Sequence, residues 1–122
     1  MRVIIAGGRD FKDYKKLKIR LNMLRKLGWD ITTIISGGAR GADKLGERYA
    51  NENNIPIEKY PAKWAEFGRS AGYRRNVEMA ENADALLAFW DGKSKGTRHM
   101  IDIAVERELP YIHVARYDGQ DS

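Results

Sequence analysis

Three glycine-rich stretches carry the residue types that bind phosphate. They are loop 1 (residues 7–10), loop 2 (residues 36–43) and loop 3 (residues 91–97). Glycine adopts positive φ at little cost and lets a ligand approach the backbone closely. The first N–H groups of a helix have no partner inside it, so a helix that begins at such a loop favours an anion there. Because helical patterns follow loops 2 and 3, we expect phosphate to bind at backbone N–H groups around 38–42 and 95–97.

Side chains next to these glycines add donors for the same chemistry. Arg9, Arg40 and Arg75 could each bind a phosphate through two N–H groups, and Ser36 and Thr97 could donate from their hydroxyls. A surface ion pair explains each arginine equally well, and a helix N-cap explains Thr97. The individual residues therefore leave a structural role and a binding role open.

Three carboxylates, Asp10, Asp43 and Asp91, belong to the same loops. A negative charge beside a phosphate is unfavourable unless it binds a ligand hydroxyl, a base edge or a metal ion. Asp43, in the first turn of its helix, either stabilises the helix dipole or hydrogen-bonds a ribose. The spacing specifies no Mg²⁺ site. The chain has no cysteine, so it can form neither a disulfide nor a thiolate metal site. Its two histidines are far apart in the sequence, which disfavours a zinc site, and we expect no metal.

The apolar pattern around the loops alternates between strands and helices. Apolar runs over 2–6, 31–36, 55–60, 83–90 and 110–115 predict five strands. Helices are predicted over 13–27, from 42 to about 50, over 73–81 and around 101–105. Asp13 or Asp10 is expected to cap the first helix and Gly28 to end it. The segment 61–72 is predicted to be an irregular connection, long enough to be functional or mobile.

Strands separated by helices predict an α/β fold with a mainly parallel sheet of about five strands in a three-layer α/β/α arrangement. In such sheets ligands bind beyond the carboxyl ends of the strands, where the strand order reverses. The order 3-2-1-4-5 would bring loops 1, 2 and 3 side by side at that edge. We therefore predict one phosphate-binding pocket there, within a single domain over 1–117 that is followed by a loose tail over 118–122.

Charge and hydropathy limit the alternatives. The net charge of +5 suits a polyanionic ligand or nucleic acid, but much of it lies between Lys12 and Lys26, where a solvated helix face explains it more simply. The apolar N-terminal run is too short for a secretory or membrane-spanning segment, so we expect a cytoplasmic protein without a membrane partner. Neither a P-loop nor G-x-G-x-x-G is present, which disfavours ATP hydrolysis and ordinary NAD redox chemistry.

As a set, these motifs resemble the SLOG superfamily of Rossmann-like nucleotide-binding proteins, and in particular its YspA/YpsA-related branch. The resembling stretches are 6–10, 36–43, 71–76 with Met79, and 90–97. The resemblance implies a nucleotide or nucleotide-derived ligand, such as an ADP-ribose-like molecule, with no certain cofactor. It also implies a sensor or sequestering module that associates as a homo-oligomer. The residues that it marks for nucleotide binding are Gly7, Gly8, Arg9, Asp10, Ser36, Gly37, Gly38, Ala39, Arg40, Gly41, Asp43, Arg75, Asn76, Asp91, Gly92, Ser94, Gly96 and Thr97.

The LOG enzymes, which cleave the N-glycosidic bond of nucleoside monophosphates, are relatives that suggest an enzymatic alternative. Their R-K-x-x-M element resembles Arg75 and Met79 here, although Asn76 stands in place of the lysine. Their P-G-G-x-G-T-x-x-E element resembles the segment with Gly96 and Thr97. The sequence is thus similar to LOG at both elements but identical at neither.

The position of the LOG glutamate is Met100 in this chain. A carboxylate there would stabilise oxocarbenium-like charge or orient the attacking water, and a methionine does neither. Binding without hydrolysis is therefore the favoured interpretation. A nucleotide (phosphoribo)hydrolase with Arg75 and Asp91 as catalytic residues is the alternative.

A second alternative comes from the DNA-processing DprA family, whose S-G-x-A-x-G-I-D loop resembles loop 2 with Ala42 in place of the isoleucine. In that family the loop lies at a site for single-stranded DNA. Trp64, Phe67 and Trp90 would suit base stacking in a basic groove, although Trp90 could equally be a core residue. Nucleic acid is therefore a possible partner, but a less favoured one than a small nucleotide.

Overall fold

The computed structural model describes residues 1–119. Its strands are β1 (Arg2–Gly7), β2 (Thr33–Ser36), β3 (Ile57–Lys59), β4 (Ala85–Trp90) and β5 (Tyr111–Arg116). Its helices are α1 (Tyr14–Lys26), α2 (Ala42–Glu52), α3 (Trp64–Phe67), α4 (Ala71–Glu81) and α5 (Lys95–Glu106), with a 3₁₀ turn at Gly68–Ser70. All neighbouring strands pair in parallel, in the order β3-β2-β1-β4-β5. This confirms the predicted Rossmann-like fold and strand order.

Alternate side chains of the central strands fill two separate cores. Val3 and Ile5 of β1 pack in the core that contains the apolar faces of α1 and α2. Ile4, between them, packs in the core that contains the apolar faces of α4 and α5. Because β1 and β4 are buried on both faces, they are continuous apolar runs, as parallel strands in such folds are. The sheet therefore lies between two helical layers.

Several element boundaries differ from the sequence-based prediction. β2 begins at Thr33 rather than residue 31, and β3 covers only part of the predicted 55–60. Ile31 and Ile55 are both buried, although neither belongs to a strand. The apolar pattern indicated burial at these positions, and burial does not require a place in the hydrogen-bonded ladder. The predicted connection over 61–72 contains α3 and the beginning of α4.

The helix ends also test the predicted caps. The Asp13 carboxylate accepts the Lys16 N–H at 3.0 Å, which makes Asp13 the cap of α1, and Gly28 follows that helix with φ +110. The explanation of Thr97 as a helix N-cap is wrong. Ser94 caps α5, and Thr97 lies inside the first turn with its N–H directed at Ser94 Oγ.

The end of the described chain packs against the core that contains the apolar faces of α1 and α2. The Tyr117 ring lies edge-on to Phe11, with the ring centroids 4.9 Å apart. Residues 120–122 of the predicted tail lie outside the described residues, and the assignment of 1–117 to one domain stays a prediction. Among residues 1–119, no helix is both long enough and apolar enough to cross a membrane.

Candidate functional site

A cavity of about 460 Å³, here called the main cavity, lies at the carboxyl edge of the sheet. Its walls come from the end of β1, from the loop that follows β4, and from residues of α2, α3, α4 and α5. The predicted site residues that line it are Gly7, Gly8, Arg9, Asp10, Ala39, Asp43, Arg75, Asn76, Asp91, Ser94, Gly96 and Thr97. The structure thus brings parts of all three loops together around one space.

A second cavity of about 350 Å³ shares part of its lining with the main cavity. It is lined by three further predicted residues, Gly37, Gly38 and Arg40. Ser36, Gly41 and Gly92 were also predicted to bind the nucleotide, but they line neither of these two cavities.

Loops 1 and 2 are packed together through their backbones. The Ala42 N–H donates to the Gly8 carbonyl at 3.2 Å. Gly41 has φ +81, and a Cβ on it would collide with the same Gly8 carbonyl. Glycine is therefore required at position 41 for the contact between the loops, and this contact needs no ligand.

Several N–H and hydroxyl groups of loop 2 already donate hydrogen bonds to acceptors within the protein. The Gly38 N–H donates to Ser36 Oγ at 3.1 Å, and the Ala39 N–H donates to Asp43 Oδ2 at 3.1 Å. Ser36 is fully buried, and its hydroxyl donates to Glu47 Oε2 at 2.7 Å. The sequence predicts that these groups bind phosphate. In the structure they hold loop 2 in shape.

Asp43 is the carboxylate of loop 2, and only 6 % of it is exposed. Burial raises its pKa to about 6, although the hydrogen bond from the Ala39 N–H and the positive charge of Arg75 both act to lower it. Asp43 lines the main cavity. A group there can therefore gain or lose a proton near neutral pH.

Arg75, on α4, is held by acceptors from two elements. Its Nη1 donates to the Gly37 carbonyl at 2.6 Å, and its Nε donates to Asn76 Oδ1 at 3.2 Å. A Cβ on Gly37 would collide with Nη1, so a larger residue at this position would displace the Arg75 guanidinium. Asn76 in turn contacts His99 Nδ1 on α5 at 3.1 Å. The guanidinium is therefore fixed in position at the boundary of both cavities.

Loop 3 forms the start of α5. Asp91 Oδ1 accepts the N–H groups of Ser94 and Lys93, both at 2.8 Å, and these bonds lower the pKa of Asp91. Ser94 Oγ and Thr97 Oγ1 lie 3.0 Å apart, so both hydroxyls are already within hydrogen-bond distance of a protein partner. The Thr97 N–H of the first helical turn donates to Ser94 Oγ, whereas the N–H groups of Lys95 and Gly96 have no acceptor within the helix. These two N–H groups are the backbone donors best suited to an anion in the main cavity.

Asp10 of loop 1 also has a protein partner. Its Oδ1 accepts the Tyr117 hydroxyl at 2.5 Å. Burial, and then this hydrogen bond, raise the pKa of Tyr117. Asp10 and Asp91 both line the main cavity, so the cavity has carboxylates as well as arginines in its wall.

Two aromatic side chains, Trp64 and Tyr73, line the main cavity. The sequence predicted Trp64 only as a stacking residue of the nucleic-acid alternative, and it did not predict Tyr73. Trp64 is 52 % exposed and Tyr73 is 46 % exposed. Trp64 lies over Gly72, where an added Cβ would be 3.4 Å from Trp64 Cη2. The length of the segment over 61–72 was the sequence signal for this wall. Arg69, which also lines the cavity, had no signal of its own.

The three aromatics grouped as a stacking set do not form one surface. Trp64 lines both cavities, whereas Phe67 and Trp90 line neither. Phe67 lies beneath the Arg74 guanidinium, 4.3 Å from ring centroid to Cζ. The indole Nε1 of Trp90 donates to the Ser94 carbonyl at 3.0 Å. This arrangement gives no row of aromatic platforms for successive bases.

The remaining wall of the main cavity is apolar. Met79 and Met100 line it and are almost fully buried. Met100 is the residue at the position of the LOG glutamate, and it offers the cavity a thioether rather than a carboxylate. Within residues 1–119, no group of three or more His, Asp or Glu side chains is arranged to hold a metal ion.

Comparisons with known proteins agree with the fold and the loop motifs. Residues 1–67 match the model of the YspA, cpYpsA-related SLOG family. The chain is 36% identical over 119 residues to the Gene 61 protein of Mycobacterium phage D29, and the match covers 92% of this chain and 94% of that protein. No solved structure matches the chain. The chain belongs to the YspA, cpYpsA-related SLOG family.

Proposed function

We propose that the protein binds a nucleotide or an ADP-ribose-like nucleotide derivative in the main cavity and acts as a sensor or sequestering module. The observation that carries this proposal is the meeting of three features at one cavity. They are the N-terminus of α5, the fixed guanidinium of Arg75 and the exposed rings of Trp64 and Tyr73. A volume of about 460 Å³ suits a small-molecule site, for which roughly 300–1,000 Å³ is typical.

Each part of a nucleotide has a suitable group in the cavity. The first-turn N–H groups of α5 and the Arg75 guanidinium favour phosphate. The rings of Trp64 and Tyr73 offer stacking surfaces for a base, and such stacking contributes about 1–3 kcal/mol per base. Asp91, which stays ionised at neutral pH because its pKa is lowered, is an acceptor for ribose hydroxyls.

One observation favours hydrolysis of a nucleotide N-glycosidic or phosphate linkage as a second candidate function. Asp43 has a pKa of about 6, whereas the pKa of Asp91 is lowered, and both line the same cavity. Two carboxyl groups with separated pKa values can act as an acid and a base. The catalytic residues predicted from the sequence are Arg75 and Asp91, and in this account Asp43 joins them as the acid. The buried thioether of Met100, in place of a carboxylate, supports binding over hydrolysis.

Native mass spectrometry with AMP, NAD and ADP-ribose, together with analysis of the small molecules, tests both functions. An intact adduct supports the sensor or sequestering module, and released base or ribose phosphate supports the hydrolase. No adduct and no product would contradict both. Binding to single-stranded DNA that falls steeply with added salt would instead support the DprA-like alternative.

A pair of arginine variants tests the location of the site. Arg75→Gln should weaken nucleotide binding about 10- to 100-fold, because a hydrogen bond to a charged group contributes about 1.5–3 kcal/mol. Arg98→Gln is the matched control. Its side chain is 71% exposed, it pairs with Asp102 at 3.8 Å, and it lines neither cavity. Equal affinities of the two variants by calorimetry would refute the proposed site.

The predicted homo-oligomer and cytoplasmic location belong to the same proposal. A sensor or sequestering module of a nucleotide-derived ligand would work where such molecules are made and used. The mass of the native complex gives the number of subunits directly, and cell fractionation gives the location. A monomeric mass would contradict the proposed homo-oligomer. Recovery of the protein from another compartment would contradict the proposed cytoplasmic location.

A further inference from the structure

Helix α1 carries the whole positive excess of the chain. It contains six of the 22 lysines and arginines and none of the 17 aspartates and glutamates. Taking these six from the 22 leaves 16 basic residues against 17 acidic ones in the rest of the chain. The net charge of +5 is therefore concentrated on one helix rather than spread over the surface.

The cations of α1 are not paired with carboxylates of the same protein. Within residues 1–119, no lysine or arginine of α1 forms an ion pair with an aspartate or glutamate. The first turn of α1 has no acidic residue, and Lys15 and Lys16 lie there, where the helix dipole disfavours a cation. These charges therefore oppose the stability of the helix, and an external anion would relieve that cost.

An apolar row runs along the exposed face of α1. Ile19, Met23 and Leu27, which directly follows the helix, are 59 %, 37 % and 72 % exposed. Because they are spaced four residues apart, they form one line about 12 Å long. The row and the exposed lysines of the same helix are here called the α1 surface, which consists of Lys15, Lys18, Ile19, Met23, Lys26 and Leu27.

We propose that the α1 surface binds an acidic amphipathic helix of a partner protein. The apolar side chains of the partner pack on the row, and its carboxylates pair with the lysines. No residue of α1 lines either cavity, so this surface is separate from the proposed nucleotide site. The inference therefore goes beyond the proposed function and does not depend on it.

Charge complementarity and the apolar row together favour a protein over a nucleic acid. A phosphate backbone gains affinity from lysine and arginine contacts, but it has no apolar group that could cover Ile19, Met23 and Leu27. An acidic amphipathic helix offers carboxylates and an apolar stripe at once, with anchors at helical spacing. Met23 suits such a contact because methionine adapts to the shape of its neighbours.

The width of the row favours a protein over an anionic membrane. A helix that lies in a membrane surface buries its broad apolar face among the lipids. In α1 that face, formed by Leu17, Leu21 and Leu24, is already buried in the core. The exposed row is one side chain wide, which suits contact with the side chains of another helix better than insertion into lipid.

Fluorescence anisotropy with a labelled synthetic peptide tests the α1 surface. The peptide has about 18 residues, with leucine at i, i+3, i+4 and i+7 and with glutamate and alanine elsewhere. A shuffled peptide of the same composition distributes its leucines evenly around the helix. The full-length protein should bind the amphipathic peptide at least about 10-fold more tightly than the shuffled one.

Two pairs of variants locate the binding. Ile19→Ser should weaken the amphipathic peptide about 5- to 20-fold, because an apolar contact is lost, whereas Val105→Ser, at a 60 % exposed position of α5, should bind as the wild type does. Lys26→Gln should weaken it about 2- to 5-fold at low salt and less at high salt. Arg107→Gln, at an exposed position directly after α5, is the matched control of charge and should have no effect. Circular dichroism verifies that each variant is folded.

Four results would overturn this inference. Equal affinity for the two peptides, or wild-type affinity in Ile19→Ser, would mean that charge alone holds the peptide. Tighter binding of single-stranded DNA than of the peptide, weakened by Lys26→Gln but not by Ile19→Ser, would assign the surface to nucleic acid. Flotation with vesicles of phosphatidylserine and phosphatidylcholine, without peptide binding, would assign it to a membrane. Binding of none of these probes would leave the α1 surface without a partner, whatever the outcome for nucleotide in the main cavity.

Discussion

Replacing Asp43 with asparagine should stabilise the protein at neutral pH. Burial raises the pKa of this carboxyl from 3.8 to about 6. Between these two pH values the folded state keeps a proton that the unfolded state has already released. The contribution of Asp43 to stability is therefore full below 3.8 and is lost as the pH rises through 6.

The size of this effect follows from the pKa difference. A difference of about 2 pH units corresponds to about 3 kcal/mol, and Asp43 is too well buried for solvent to screen much of it. An asparagine oxygen can still accept the Ala39 N–H. The variant loses the favourable effect of a negative charge in the first turn of α2, which is about 0.3–1 kcal/mol. We therefore expect Asp43→Asn to raise the free energy of unfolding by about 2 kcal/mol above neutral pH.

Urea denaturation of both proteins from about pH 3.5 to 8 measures this difference. Other groups also titrate in this range, such as His99 and His113, whose pKa values are lowered by burial. Their effect on stability is the same in both proteins, so it cancels in the comparison. The two free energies of unfolding should agree at the acid end, separate as the pH rises from 3.8 to about 6, and differ by a constant amount above that pH. A variant that is less stable at neutral pH, or a difference that does not change with pH, would refute the burial argument.

Two further substitutions test packing and loop structure. Gly46→Ala should lower the free energy of unfolding by about 1–3 kcal/mol, because a Cβ there would lie 2.8 Å from Cγ2 of Ile5; an unchanged urea midpoint would mean that α2 shifts without strain. Ser36→Ala should lower the free energy of unfolding by about 1–3 kcal/mol, because the buried Glu47 carboxylate loses a donor and the Gly38 N–H loses its acceptor. An unchanged urea midpoint would refute the structural role of this hydroxyl in loop 2.

The sequence was sufficient for the topology because the relevant signals are local or follow from general rules. Apolar runs and helical periodicity mark the elements, and strands joined through helices must be parallel. Right-handed connections then leave few strand orders, and the predicted one is the observed order. The glycines of loops 1, 2 and 3 therefore had to meet at one edge of the sheet.

The segment over 61–72 could not be predicted in detail. It contains α3, a single turn that is too short for a periodic pattern, and its position follows from contacts such as Trp64 over Gly72. Its length marked the segment as functional or mobile, and its aromatic residues Trp64 and Phe67 marked it as a candidate stacking surface. Its aromatic contribution to the main cavity became visible only once α4 was in place beside it.

The sequence by itself thus determined the α/β fold, the edge of the sheet at which the loops meet and the family motifs. The tertiary structure decided which of those groups are directed at the cavities. Ser36 donates to Glu47, and the Arg75 guanidinium donates to a carbonyl 38 positions earlier in the chain. The raised pKa of Asp43 likewise comes from burial by other elements. Hydrogen-bond partners and desolvation depend on packing between distant segments, and so they cannot be assigned from local spacing.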